Sequence, residues 1–144
     1  MGWATREAGA SGWAALALLA VLTALTGCAA PEQQVDTVGQ DVWSQVRTLQ
    51  LVVRADRRVD GITTPLDVAV TEAGEGLADA ERQARDLPAG TARRAELLAV
   101  IGRARAAVGQ LRGAIQHRDT SGVDQVEHTL GALAGQLDAL GVSR

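Results

Sequence analysis

Apolar residues recur at intervals of three and four in four separate stretches of this chain, a period that suits α-helices and not strands. Val35, Val38, Val42, Val46, Leu49 and Val53 form the first stripe. Leu66, Ala69, Val70, Ala73, Leu77, Ala80, Ala84 and Leu87 form the second, and Leu97, Ile101, Ala104, Val108, Leu111 and Ile115 the third. The fourth, Val123, Val126, Leu130, Leu133, Leu137 and Leu140, repeats at near-heptad spacing. No run alternates apolar and polar residues over strand length, so the chain reads as all-α.

Start and stop signals divide these stripes. The first helix is expected from Thr37 to Arg58, with Thr37 and Gln40 arranged as a capping box and Pro31 offering an earlier start. Thr64 as N-cap and Pro65 at the first helical position open a second helix, which runs to Leu87 and stops before Pro88. Thr91 caps a third to Arg118. Ser121 with Asp124 caps a fourth to Leu140, where Gly141 supplies a C-cap. Short connections between such helices predict an antiparallel up-down four-helix bundle over residues 37–141. A three-helix bundle or long hairpin that pairs with another chain is the rival, because near-heptad stripes also suit coiled coils.

Glycines qualify that picture. Gly74, Gly76, Gly102, Gly109, Gly113, Gly131 and Gly135 fall inside the helices, each costing about 1 kcal/mol relative to alanine. Gly102 and Gly135 come level when the last two helices fold back on each other, so a close approach of their axes is expected there. The alternative is coding bias. Arg94, Arg105 and Arg112 flank the third stripe and are expected to lay their stems on apolar neighbours with their heads in water. Trp43, at the edge of the first stripe, is expected to be a packing or interface residue.

The N-terminal region is of another kind. From Trp13 to Thr26 no residue is charged. That run is shorter than the roughly 20 residues a membrane-spanning helix needs and matches the core of an export signal. Arg6 and the amino terminus supply the positive charge ahead of it, diluted by Glu7. Leu25-Thr26-Gly27-Cys28 then resembles the lipobox of bacterial lipoproteins at all four positions. The resemblance covers residues 1–28 alone. It implies a signal peptide over 1–27 cut before Cys28 and a diacylglyceryl group on the Cys28 sulfur; the polar residues that follow make 28–36 a lipidated cysteine and short tether. A thiolate is the natural nucleophile for such an alkylation. Cys28 is the only cysteine of the chain, so no internal disulfide competes for it.

Composition narrows the function. Arg6 and Glu7 leave with the leader, so 14 basic and 17 acidic residues become 13 and 16, and the net charge stays at −3. That balance argues against nucleic acid as a partner. Lysine, phenylalanine, tyrosine and asparagine are absent and Ala, Gly, Val and Arg abundant, a bias typical of high-GC coding. Without lysine there is no Schiff-base site, and with Cys28 acylated no thiol nucleophile. Ferritin-like metal sites need Glu-x-x-His, which does not occur here. His117 and His128 would stand about 10 Å apart in height across a hairpin, too far for one ion, and His128 is expected in solvent. No metal, no cofactor and no catalytic residue is expected.

Two helix starts and Arg57, Arg58, His117 and Arg118 gather at the end of the expected bundle remote from Cys28, a possible anionic partner patch. Asp56, Asp60, Asp67, Asp119 and Asp124 crowd the same end, so capping and local pairing compete with that role. The murein lipoprotein shares the lipobox and helical stripes, but the terminus here is Arg144 rather than a wall-linked lysine. The sequence therefore predicts a lipid-anchored protein on the extracytoplasmic face of the cell membrane. Its expected role is non-enzymatic, as an interaction or envelope-accessory module with a protein partner. The alternative is a carrier holding a small apolar or lipidic ligand between its helices. Val52 and Val68, lying off the stripes, are where a partner would be sought. The residues leave the oligomeric state open.

Overall fold

The computed structural model describes residues 31–58 and 63–142, and among them every regular element is a helix. The helices are α1 (Pro31–Asp56), α2 (Thr63–Asp86), α3 (Ala92–His117) and α4 (Thr120–Ala139). α1 touches each of the other three, and α3 touches α2 and α4 as well. α2 and α4 do not touch each other among the described residues.

One core lies between them. All of the first stripe is buried, with Val42, Val46, Leu49 and Val53 fully enclosed. Leu77 from α2, Leu97, Ile101 and Leu111 from α3, and Leu130 and Leu137 from α4 meet it without exposure. Leu66, Ala69 and Leu140, at the ends of their stripes, are partly buried. Val52, Val100, Ala107 and Ala114 are also buried, although each lies off a stripe. A helix touching two or three neighbours buries a wider arc than one stripe. No polar or charged residue is buried among the described residues, so hydrophobic burial and side-chain packing hold the helices together. Among the described residues the core comes from residues 35–142, all of which a chain beginning at Ala29 retains.

Several boundaries differ from expectation. α1 begins at Pro31, so Thr37 sits inside it and donates to Gln33 O at 3.0 Å as an ordinary helical residue. Pro31 suits a first helical position, where its missing N–H has no intrahelical partner, and Glu32 complements the helix dipole. Most of the expected tether is therefore helix. α2 begins at Thr63 rather than at Pro65, and its N-cap lies outside the described residues. Thr91 precedes α3, yet its hydroxyl donates to Pro88 O instead of capping. α4 is capped by Asp119, not Ser121: its carboxylate accepts from Gly122 N at 3.1 Å and from Ser121 Oγ at 2.6 Å. Gly141 follows α4 at φ 74°, a left-handed conformation glycine adopts without steric cost, as its C-cap position predicts.

The expected close approach of Gly102 and Gly135 does not occur. A Cβ added at either would meet nothing within 4 Å, and both residues are exposed. Close contacts occur at other glycines. A Cβ at Gly39 would lie 2.6 Å from Val142 Cγ2, and one at Gly76 would lie 2.7 Å from Gln45 Nε2. Level positions along two helices do not fix rotation about each axis, and here the larger side chains turn inward and the glycines outward.

Candidate functional site

Leu25, Thr26, Gly27 and Cys28, with the leader before them, lie outside the described residues. What the structure fixes is the chain that follows: only Ala29 and Ala30 separate Cys28 from α1. Three residue steps span at most about 10 Å.

At the start of α3, two consecutive arginines close the ends of neighbouring helices. Arg94 Nε donates to Ala84 O at 3.1 Å and its Nη2 to Arg85 O at 2.7 Å, satisfying carbonyls that the last turn of α2 leaves free. Arg93 Nη2 donates to Leu140 O at the end of α4. Arg93 also faces α1, with Nη1 3.3 Å from Glu32 Oε2 and Nη2 2.7 Å from Asp36 Oδ1. The Asp36 contact is an ion pair rather than a well-aligned hydrogen bond, for Asp36 Oδ1 and Arg93 Nε are buried without hydrogen-bond partners. Asp36 above all, and then Glu32, hold the Arg93 guanidinium above its ordinary value, against the opposing effect of burial. Sequence periodicity gives no signal for Arg93, because its partners come from the far ends of two other helices.

Arg105 and Arg112 also reach acceptors on α2, with about half of each side chain still in water. Arg105 Nη1 and Arg85 Nη2 share the two oxygens of Glu81. Arg112 donates to Thr71 Oγ1 at 3.1 Å, with Asp67 nearby. These pairs are half-exposed and each is worth little energy. Their positions mark which turns of α2 and α3 lie level.

The expected patch is divided by the structure. Arg57 reaches the first turns of α4, pairing with Asp124 and, at 2.6 Å, with Glu127. Arg58 lies in the turn after α1 and is exposed. His117 is exposed, its Nδ1 2.8 Å from Gly113 O. Arg118 terminates α3 in a left-handed conformation, φ 54°, uncommon for a residue with a Cβ. The neighbouring Asp119 carboxyl is held below the usual carboxylate range, first by the Ser121 hydroxyl, then by Gly122 N–H, with His117 adding to the shift. Because the folded value is the lower one, its stabilising contribution is complete above the ordinary carboxylate pKa and disappears as pH falls through the folded value. Asp119→Ala is therefore expected to lower the melting temperature at neutral pH, with the gap to wild type closing in strong acid. Thermal melts across pH check this, and a gap that persists in acid would contradict it. His128 is exposed as expected.

Two open grooves run along the junction of α3 and α4. One, of about 310 Å³, is lined largely by Ala99, Val100, Ala139 and Leu140. The other, of about 330 Å³, lies beside His117, Asp119 and Gln125. Among the described residues, no three His, Cys, Asp or Glu side chains are grouped to hold a metal ion. None of the described helices is long and apolar enough to cross a membrane.

Trp43 is partly buried against the core, as expected of a packing residue, and Arg47 lies over its ring at 4.8 Å from the centroid. Val52 is buried, which removes it as a partner contact, whereas Val68 is 52% exposed and Leu51, not anticipated, 63%. No family model matches this chain, and no curated protein or solved structure matches it either.

Proposed function

We propose that this chain is a lipoprotein of the extracytoplasmic membrane face, held by acylated Cys28. Its helices form a non-enzymatic interaction module of the cell envelope. The observation that carries the reading is Leu25-Thr26-Gly27-Cys28 behind an uncharged run of signal-peptide length. Two or more acyl chains hold a protein on a bilayer where one gives marginal binding. A helix starting at Pro31, close behind Cys28 in the chain, supports a domain held near that surface.

The helices run up and down in antiparallel order. Contacts at both ends of the neighbouring pairs support this: Arg57 with Asp124, and Gly39 beside Val142, for α1 and α4; Arg94 with Ala84, and Arg112 with Thr71, for α2 and α3. His117 and Arg118 then lie at the end of the bundle remote from Pro31, available to a protein partner. Exposed Val68 on α2 also favours a partner. The carrier reading draws on the apolar groove between α3 and α4, which opens on the surface of that pair.

Metabolic labelling with an acyl-chain precursor tests the anchor. Wild-type chain is expected to carry the label and to partition into detergent, and Cys28→Ala to lose both properties. A label retained by Cys28→Ala, or a native product that still begins at Met1, would end this reading.

A further inference from the structure

The outer face of α1 carries a charge pattern that neither capping nor packing explains. Trp43, Arg47, Leu51, Arg54 and Arg58 follow one another at steps of four, four, three and four, which align on one side of a helix and the turn after it. The core residues Val42, Val46, Leu49 and Val53 occupy the other side, with Trp43 at the boundary and partly buried against them. Between Asp41 and Asp56 the helix holds no acidic residue. Arg57, Arg82, Arg85, Arg93, Arg105 and Arg112 are all in ion pairs, while Arg47, Arg54 and Arg58 are exposed and form none among the described residues. Arg47 is held in place by the Trp43 ring and by Gln50 Oε1 at 3.1 Å. Leu51, the most exposed large apolar side chain among the described residues, stands between these cations.

We propose that this face, from Trp43 to Arg58, rests on an anionic bilayer surface, so that α1 lies along the membrane. The proposal rests on the anchored reading, which brings a bilayer within reach. With about 10 Å between Cys28 and Pro31, α1 starts at the lipid surface, and the part beyond Glu32 and Asp36, which pair with Arg93, can settle there. Guanidinium groups meet lipid phosphates there, Trp43 takes the interfacial depth that tryptophan favours, and Leu51 enters the headgroup boundary. Asp41 and Asp56 bracket the face, and Asp124 and Glu127 beside it are already engaged by Arg57. The chain as a whole is net negative, so attraction falls to a face that concentrates cations, and contact through this one is orienting.

The test uses the unacylated chain from Ala29, in which Trp43 is the only tryptophan. Vesicles of phosphatidylglycerol and phosphatidylcholine in equal parts are compared with phosphatidylcholine alone, by co-sedimentation and by Trp43 emission. Binding to the anionic vesicles alone is expected, with a blue shift of Trp43 and release by high salt. Each of Arg47→Gln, Arg54→Gln and Arg58→Gln is expected to weaken partitioning about fivefold, and the three together about a hundredfold. Leu51→Ser weakens it further, and Arg103→Gln on α3 leaves it unchanged. Equal binding to both vesicles, or a triple variant that binds like wild type, would overturn the proposal. So would binding of polyglutamate without binding of vesicles, which would assign the face to an acidic protein. The acyl group is absent from this assay, so its outcome and that of the labelling experiment are independent.

Discussion

Replacing Gly102, Gly109, Gly131 and Gly135 together with alanine is expected to raise the stability of the domain by about 4 kcal/mol, at about 1 kcal/mol per site. All four are exposed, and a Cβ at each would meet nothing within 4 Å. Nothing then opposes the gain from restricting the unfolded chain, and the sites add except for Gly131 and Gly135, which stand one turn apart and couple weakly. Gly39 is the contrast. An alanine there would press on both methyls of Val142, and overpacking costs about 1–3 kcal/mol. Gly39→Ala is expected to lose stability that a second change, Val142→Ala, restores. Urea unfolding of the quadruple and double variants measures both effects. A quadruple variant less stable than wild type would mean that α3 and α4 meet a neighbour across those glycines.

Leu49→Ala is expected to cost about 2–5 kcal/mol, the range for a truncated leucine whose surroundings cannot close the space. Leu49 is fully enclosed on α1, the helix that touches all three others, so the cavity would open where several elements meet. Against a typical total of about 5–15 kcal/mol that loss is large. Two residues along the chain, Leu51→Ala should change stability by no more than about 0.5 kcal/mol, since the side chain is mostly in water. Denaturant midpoints decide it. A small effect at Leu49 would mean that neighbouring side chains collapse into the gap.

Together these two sets of substitutions separate what the helical period could and could not foretell. Every residue of the first stripe is inside, as are the central residues of the other three, because a period near 3.6 leaves a helix one face to bury. Helix ends were less legible. Asp119 displaced Ser121 as the cap of α4 because a short acidic side chain in extended conformation can accept from Gly122 N–H and Ser121 together. Pro31 rather than Thr37 opened α1, which shortened the tether.

The polar side chains were least legible. Arg94, Arg105 and Arg112 have the spacing of a solvated edge, but their partners are carbonyls and side chains of α2. Arg57, expected to stand ready for a partner, is held by Asp124 and Glu127. A long flexible side chain takes whichever acceptor the packed neighbour offers, and no local pattern encodes that neighbour.

By itself, then, the amino-acid sequence determined four helices, the inward side of each and the lipobox-like tetrad ahead of them. These depend on residue type and on spacing within a single segment. Tertiary structure alone decided that, among the described residues, α1 and α3 meet while α2 and α4 do not, that Gly102, Gly109, Gly131 and Gly135 face outward, and that Arg47 and Arg54 of α1 form no ion pair. Those outcomes depend on how far each helix turns about its axis when it packs, and that rotation is set by side chains distant in the chain.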